Sequence, residues 1–199
     1  MLKTREEWLS KVAEGLRPHF EEKGYSIPQV RMALGFTSRG GRGKRIGECW
    51  DSSCSADKTF EILVDPRLDN PVDVAQVLCH ELIHAAVGLK CGHRGAFRTM
   101  AKGMGLEGKM TATVAGPGFI KIITPILELV GDLPHARLNT GNGPKKQSIR
   151  LLKVTCPVCG YTARVTRKWI EEVGAPYCGD PDHGRMIVNG MDEEGKQAA

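Results

Sequence analysis

Apolar residues recur every four positions near the start of the chain. They are Trp8, Val12, Leu16 and Phe20. The segment TREE at 4–7 reads as a capping box just before them, so the pattern predicts a helix from about residue 5 to Lys23. Pro18 predicts a kink or a break of this helix near Arg17.

Three short runs with the composition of strands follow. They cover residues 29–36, 46–50 and 59–64 and are separated by a glycine-rich basic loop and a serine-rich turn. We expect them to form a small antiparallel sheet.

A long apolar helix is predicted after Asn70. Asn70 is a good N-cap, and Pro71 is tolerated at the first helical position. The helix should be buried, because it is apolar on much of its circumference, and it should end near Gly88 or Gly92. A short helix over 95–103 and an apolar stretch over 117–130 follow, with Pro125 as a candidate break.

This order of elements predicts an α+β protein with two domains. The first covers residues 1–140. Residues 141–148 are rich in glycine and polar residues and are predicted to be a linker, and residues 149–190 form a small second domain with strands at 149–155 and 161–166. The polar tail at 191–199 is predicted to be dispensable.

Composition excludes several classes of protein. The chain has 199 residues, of which 41% are hydrophobic, so a packed core is expected and disorder is not. The longest apolar stretches are about half the roughly 20 residues of a transmembrane helix, and the charged N-terminus does not resemble a signal peptide. We expect a cytoplasmic or DNA-associated protein that is not secreted. The seven cysteines then favour metal binding over disulfides.

The segment HELIH at 80–84 predicts a catalytic zinc site. Its spacing places His80 and His84 on one helix face, where both can bind one zinc ion. Glu81 then serves as the general base, because in zinc hydrolases a carboxylate accepts the proton of a water whose pKa the metal has lowered to roughly 7.

A third protein ligand is required for such a site. His93 is the leading candidate, because the glycines around it allow the chain to turn back toward the metal. Glu107 is the alternative, as a downstream carboxylate ligand. Cys91 could also bind in principle, whereas Cys79 is expected in the core.

A second zinc site is predicted in the C-terminal domain. Its ligands are Cys156, Cys159, Cys178 and His183. A complete set of four ligands is typical of a structural zinc ion, which a module this small needs in order to fold. Asp180 or Asp182 could replace His183.

Basic residues cluster in two parts of the first domain. The loop at 39–45 carries Arg39, Arg42, Lys44 and Arg45. Between residues 90 and 121 there are six basic residues and one acidic residue, although the net charge of the whole chain is only +5. Two interpretations of this charge stay open: it is solvated surface, or it makes non-specific contact with DNA, single-stranded DNA included.

These motifs, in this order, resemble the SprT-like (Spartan-type) zinc metalloproteases. The resemblance extends over residues 5–190 and includes segments 47–50, 62–68 and 92–97 besides HELIH and the cysteine pairs. It implies a zincin-like protease domain followed by a zinc ribbon, with His93 as the third zinc ligand. It also implies substrates that are proteins attached to DNA, and DNA that activates the protease.

Three functions are compatible with the sequence. The first is a zinc endopeptidase that acts on DNA-associated or DNA-crosslinked proteins. The second is a non-catalytic, DNA-binding or transcription-linked adaptor in which both zinc ions are structural. The third is a peptidase with one dedicated substrate and no need of DNA. Glu81 favours a hydrolase over the adaptor, since an adaptor needs no carboxylate beside its ligands.

Overall fold

The chain is an α+β protein whose computed structural model describes residues 4–40, 43–134, 136–142 and 151–189. It divides into two compact units, residues 1–142 and 143–199. Most of the predicted linker, the predicted tail and Arg42 lie outside the described residues. Across the described part of the chain, no helix is both long enough and apolar enough to cross a membrane.

The first helix, α1, begins at the predicted capping box. It covers Arg5–Glu21, and the Thr4 hydroxyl accepts a hydrogen bond from the Glu7 amide while the Glu7 carboxylate accepts one from the Thr4 amide. The predicted break at Pro18 is wrong, because the backbone continues in helical form and the Glu22 amide donates to the Pro18 carbonyl. A proline this near the end of a helix removes one hydrogen bond without ending the helix.

The three predicted strands form one sheet, but the sheet is mixed. β1 (Val30–Leu34) runs parallel to β3 (Phe60–Val64), and β2 (Gly47–Trp50) runs antiparallel to β3 on its other side. The strand order is β1-β3-β2, so the connection from β1 to β2 passes over the central strand. The prediction of an antiparallel sheet was therefore wrong. The path of that connection decides the direction of β1, and the apolar pattern of a strand carries no information on it.

The helix that carries HELIH is α2, Pro71–Val87. The Asn70 side chain accepts hydrogen bonds from the Val72 and Asp73 amides, and Gly88 ends the helix with a φ of 87°. Most of α2 is buried against β2, β3 and the neighbouring helices. The helix is thus a rigid support inside the first unit.

The rest of the first unit follows α2. The helix α3 (Ala96–Gly103) leads into a hairpin of β4 (Leu106–Lys109) and β5 (Ala112–Ala115), and α4 (Pro117–Val130) completes the unit. The hairpin was not among the predicted elements. Pro125 lies inside α4 without dividing it.

The second unit has its own small core. It contains β6 (Leu152–Thr155), β7 (Thr162–Val165), the helix α5 (Arg167–Val173) and β8 (Ile187–Val188). The strands pair antiparallel in the order β7-β6-β8. Only Val154, Cys156 and Met186 are buried in its hydrophobic cluster, as far as its described residues extend. A core this small leaves the unit dependent on additional cross-links.

Candidate metal centres

Three histidines converge in the first unit. His80 and His84 lie one turn apart on α2, and His93 lies in the loop that follows. The Nε2 atom of His93 is 3.2 Å from Nε2 of His80 and 3.2 Å from Nε2 of His84. Gly92 and Gly95 flank this loop with φ values of 53° and 49°, which L side chains rarely adopt. These glycines turn the chain back so that the third imidazole reaches the helix.

The spacing of the three nitrogens fits a small cation with tetrahedral geometry. Tetrahedral zinc binds imidazole at about 2.0–2.1 Å, which places neighbouring ligand nitrogens about 3.3–3.4 Å apart. Hydrogen bonding alone would satisfy the cluster poorly, because Nε2 of His93 would have to pair with two other ring nitrogens. The group is therefore compatible with metal binding.

Burial keeps the three imidazoles in the form that binds metals. It lowers the pKa of His80 to about 3 and that of His84 to about 4, and the neighbouring imidazoles add to both effects. The pKa of His93 is also lowered, first by burial and then by the charge of Arg45. Metal cations bind neutral imidazole. The cluster is thus ready to bind metal at neutral pH.

Two residues that sequence reasoning did not assign to the site hold the imidazoles in place. Thr113 of β5 is buried, and its Oγ1 lies 2.8 Å from Nδ1 of His80. The hydroxyl oxygen can accept a hydrogen bond from Nδ1–H, which leaves Nε2 free for a metal. Phe97 is fully buried against all three rings and stacks on His84 with a centroid distance of 4.3 Å. Among the described residues Nδ1 of His84 has no hydrogen-bond partner, so stacking orients that ring.

Glu81 points toward the sheet and lies against β2. It is buried, its carboxylate accepts a hydrogen bond from the Cys49 amide, and burial raises its pKa to about 8. A Cβ atom built on Gly47 would lie 2.5 Å from Oε1 of Glu81. Gly47 therefore provides the space that the carboxylate occupies.

A hydrogen-bond network of Ser38, Glu48 and Arg45 lies beside Glu81. Both carboxylate oxygens of Glu48 accept hydrogen bonds from Ser38, at 2.6 and 2.7 Å, and the Arg45 guanidinium donates to the same carboxylate. Burial raises the pKa of Glu48, but these hydrogen bonds outweigh burial and hold the pKa below its ordinary value. The charge of Arg45 partly offsets the effect of burial on the pKa of Glu81, and it adds to the lowering of the pKa of His93, so this guanidinium is close enough to act on both groups electrostatically.

The predicted DNA-contact loop is only partly a free basic surface. Arg39 and Lys44 are exposed, whereas Arg45 is engaged by Glu48. The neighbouring backbone is fixed by Arg67, which donates to the Gly43 carbonyl at 3.2 Å and pairs with the buried carboxylate of Asp65. The fourth predicted residue, Arg42, is not described.

The alternative ligands lie elsewhere. Glu107 is exposed on β4, with its carboxylate packed against Gly116, and it is not part of the histidine group. The Cys91 thiol donates to the Gly88 carbonyl at 3.2 Å, and Cys79 is fully buried in the core.

The second unit brings together the four residues predicted as zinc ligands. The Sγ atoms of Cys159 and Cys178 are 3.7 Å apart, and Sγ of Cys178 is 3.7 Å from Nδ1 of His183. Thiolates bound to tetrahedral zinc at about 2.3 Å are about 3.8 Å apart. Amide hydrogen bonds from Cys159 and Val158 lower the pKa of Cys156, which favours its thiolate. These four residues are therefore compatible with metal binding.

The two aspartates near this group have other contacts. Oδ2 of Asp180 lies 3.5 Å from Nε2 of His183, the ring nitrogen that faces away from the sulfurs. Its Oδ1 accepts the Asp182 amide at 3.1 Å. Asp180 thus orients His183, which is how carboxylates commonly support a metal-binding histidine.

The two ligand groups differ in what they can do. The histidine group has three protein ligands and a buried carboxylate next to one of them in sequence, whereas the cysteine group has four protein ligands. A scan against protein-family models and searches of curated proteins and of solved structures found no match for this chain. The two ligand groups and the side chains around them therefore carry the functional assignment.

Proposed function

We propose that this chain is a zinc-dependent endopeptidase with a zincin-like catalytic unit and a C-terminal zinc ribbon. The observation that carries the proposal is the convergence of three imidazole nitrogens beside α2, the helix that also carries His80, His84 and the buried carboxylate of Glu81. Three protein ligands leave a fourth position open, as in catalytic zinc sites, whereas four ligands are typical of structural ones.

Each of these residues has a distinct role. His80, His84 and His93 hold the metal, and Thr113 keeps His80 in the tautomer that presents Nε2. Zinc in this site supplies Lewis acidity toward water and toward the carbonyl of a peptide bond. Glu81 accepts the proton of the attacking water at a carboxylate oxygen and donates it to the amine that leaves.

Burial holds the pKa of Glu81 at about 8 in the metal-free chain, and a cation bound by the three histidines would lower it, so that the carboxylate form is available to accept a proton at neutral pH. The charge of Arg45 acts on both Glu81 and His93, and its hydrogen bond to Glu48 fixes its position. A fixed cation beside the reacting bond stabilises the negative charge that develops on the carbonyl oxygen. We propose this role for Arg45 in place of contact with DNA.

The substrate class follows from the family resemblance of the sequence. We propose proteins bound or crosslinked to DNA, with non-specific DNA as a further partner. The exposed cations of the first unit are compatible with such a partner.

The test is proteolysis by the zinc-loaded chain with a matched inactive variant. Unfolded casein and a DNA-binding protein serve as substrates, with and without a single-stranded oligonucleotide. Glu81→Gln keeps the size of the side chain and all the ligands, so it should still bind two zinc ions while cleavage falls by about 10²–10⁴-fold. Equal cleavage by both proteins would refute the role of Glu81.

Two further outcomes decide between the remaining hypotheses. Cleavage that depends on Glu81 but not on the oligonucleotide would support the peptidase and rule out activation by DNA. Absence of cleavage under every condition, with tight oligonucleotide binding by both proteins, would replace the peptidase by the adaptor.

A further inference from the structure

A pocket of about 720 Å³ lies beside the histidine cluster in the first unit. One wall is formed by α3 and the residues just before it, and the other by the hairpin of β4 and β5. Four cationic side chains line it, namely Arg94, Arg98, Lys102 and Lys109, and we call it the basic pocket. Its lining contains no acidic residue.

The cations of the basic pocket are not paired with any residue that the structure describes. Over the ranges that the structure describes, none of the four side chains forms an ion pair or a hydrogen bond. By contrast, Arg31, Arg45 and Arg67 of the same unit each pair with a carboxylate. Four like charges around one cavity repel each other, so an anionic group from outside would relieve an unfavourable interaction.

The basic pocket adjoins the proposed catalytic site through His93. His93, whose Nε2 lies 3.2 Å from those of His80 and His84, is itself part of the lining. A polypeptide bound at the histidine cluster can therefore extend along His93 into the pocket.

Two of the cations repeat along the helical wall of the pocket. Arg98 and Lys102 lie one turn apart on α3, which places their positions about 6 Å apart along the helix axis, and Arg94 lies just before the helix. Side chains on one face of an extended peptide are about 6.6 Å apart. Alternate carboxylates of an extended substrate can thus meet successive cations of the wall.

We propose that the basic pocket is a specificity subsite that binds acidic side chains of the polypeptide substrate next to the scissile bond. The inference rests on the proposed peptidase function and adds a substrate preference to it. A peptide is favoured over a nucleic acid strand because a ligand histidine forms part of the lining. Arginine and lysine together bind carboxylates by charge-assisted hydrogen bonds.

Peptide binding to zinc-loaded Glu81→Gln protein tests the subsite separately from catalysis. The probes are three fluorescein-labelled peptides of equal length that carry glutamate, glutamine or lysine at alternate positions, and the readout is fluorescence anisotropy. We expect the glutamate peptide to bind at least tenfold more tightly than the glutamine peptide, with a difference that shrinks as salt rises from about 50 to 200 mM.

Charge reversal in the pocket should reverse this preference. Arg98→Glu and Lys102→Glu should each weaken binding of the glutamate peptide at least fivefold and strengthen binding of the lysine peptide. Lys121→Glu reverses an exposed charge outside the pocket and is the matched control. Arg98→Gln and Lys102→Gln repeat the test without an added negative charge, and all variants should retain two zinc equivalents.

The outcomes separate the subsite from the proposed function. If wild-type protein cleaves peptides but the pocket variants bind all three probes as the Lys121→Glu control does, the subsite is wrong and the peptidase remains. If the preference is present and reverses while no protein is cleaved, the subsite is retained and the peptidase is wrong. If the pocket variants weaken binding of a single-stranded oligonucleotide but not of the glutamate peptide, the pocket binds nucleic acid and the proposal is overturned.

Discussion

Replacing Gly47 by alanine should impair the proposed catalysis without affecting the metal. The added Cβ would lie 2.5 Å from Oε1 of Glu81 and 2.6 Å from Cγ1 of Val77, whereas real Cβ contacts are not shorter than 3.0 Å. The carboxylate must therefore move by at least 0.5 Å. The Cys49 amide and the surrounding core oppose that movement.

The size of the effect follows from this displacement. Overpacking a well-packed site costs about 1–3 kcal/mol, and both the Glu81 carboxylate and the buried Val77 side chain must move here. Misplacing a reacting group by about 1 Å costs about 100-fold in rate, so a shift of half that size or more should cost about 10- to 100-fold in kcat.

The assay combines three measurements on the same protein. Urea unfolding gives the free energy of unfolding, metal analysis gives the zinc content, and cleavage of a peptide gives kcat. Gly35→Ala is the matched control, because its Cβ would meet Leu63 at an ordinary 3.6 Å. If Gly47→Ala keeps the wild-type kcat, the clash with Glu81 does not limit catalysis. If it loses zinc from the histidine site, the loss of kcat has another cause than displacement of Glu81.

Three other predictions concern the residues around the two ligand groups. Thr113→Val removes the acceptor for Nδ1 of His80 and should weaken zinc binding at the histidine site about 10- to 100-fold, measured by chelator competition, whereas Thr113→Ser should keep it. In the metal-free protein, the lowered pKa values of His80 and His84 should make the free energy of unfolding fall as pH drops below about 6.5. The raised pKa of Glu81 should make it fall by about 1.4 kcal/mol per pH unit as pH rises from 6.5 to 8. Urea unfolding at a series of pH values checks both effects, and Glu81→Gln should abolish only the loss of stability above pH 6.5. Arg67→Gln removes the cationic partner of the buried Asp65 carboxylate, which still accepts a hydrogen bond from the amide of residue 67. The free energy of unfolding, measured by thermal unfolding, should fall by about 3 kcal/mol, and a loss below about 0.5 kcal/mol would contradict that pairing.

Local sequence signals were enough to predict the supports of the histidine group. The capping box at Thr4, the cap at Asn70 and the end at Gly88 depend on residues within one turn of each other. The spacing of His80 and His84 follows from the period of one helix, and glycine at 92 and 95 indicated a turn that could return His93.

Tertiary contacts explain what the sequence did not show. Thr113 is 33 positions from His80 and lies in a hairpin of two four-residue strands, which lack a long β-branched run. The need for glycine at 47 comes from Glu81 on another element, and the direction of β1 depends on the path of a loop. The unpaired state of the cations in the basic pocket could not be predicted either, because a charge count does not show which carboxylates are near.

The short separation of the three histidines along the chain has a consequence for folding. His80 and His93 are only 13 positions apart, so α2 and the loop after it hold every histidine of the group, and little chain entropy is lost when they come together. The position of the Glu81 carboxylate depends on a more distant contact, because β2, more than thirty positions earlier in the chain, must first pack on α2. A folding intermediate in which β2 has not yet packed on α2 can therefore bind zinc at the three histidines before Glu81 is positioned. Zinc content would then count molecules that have passed the first of these events, and only titration of active sites would count those that have completed both.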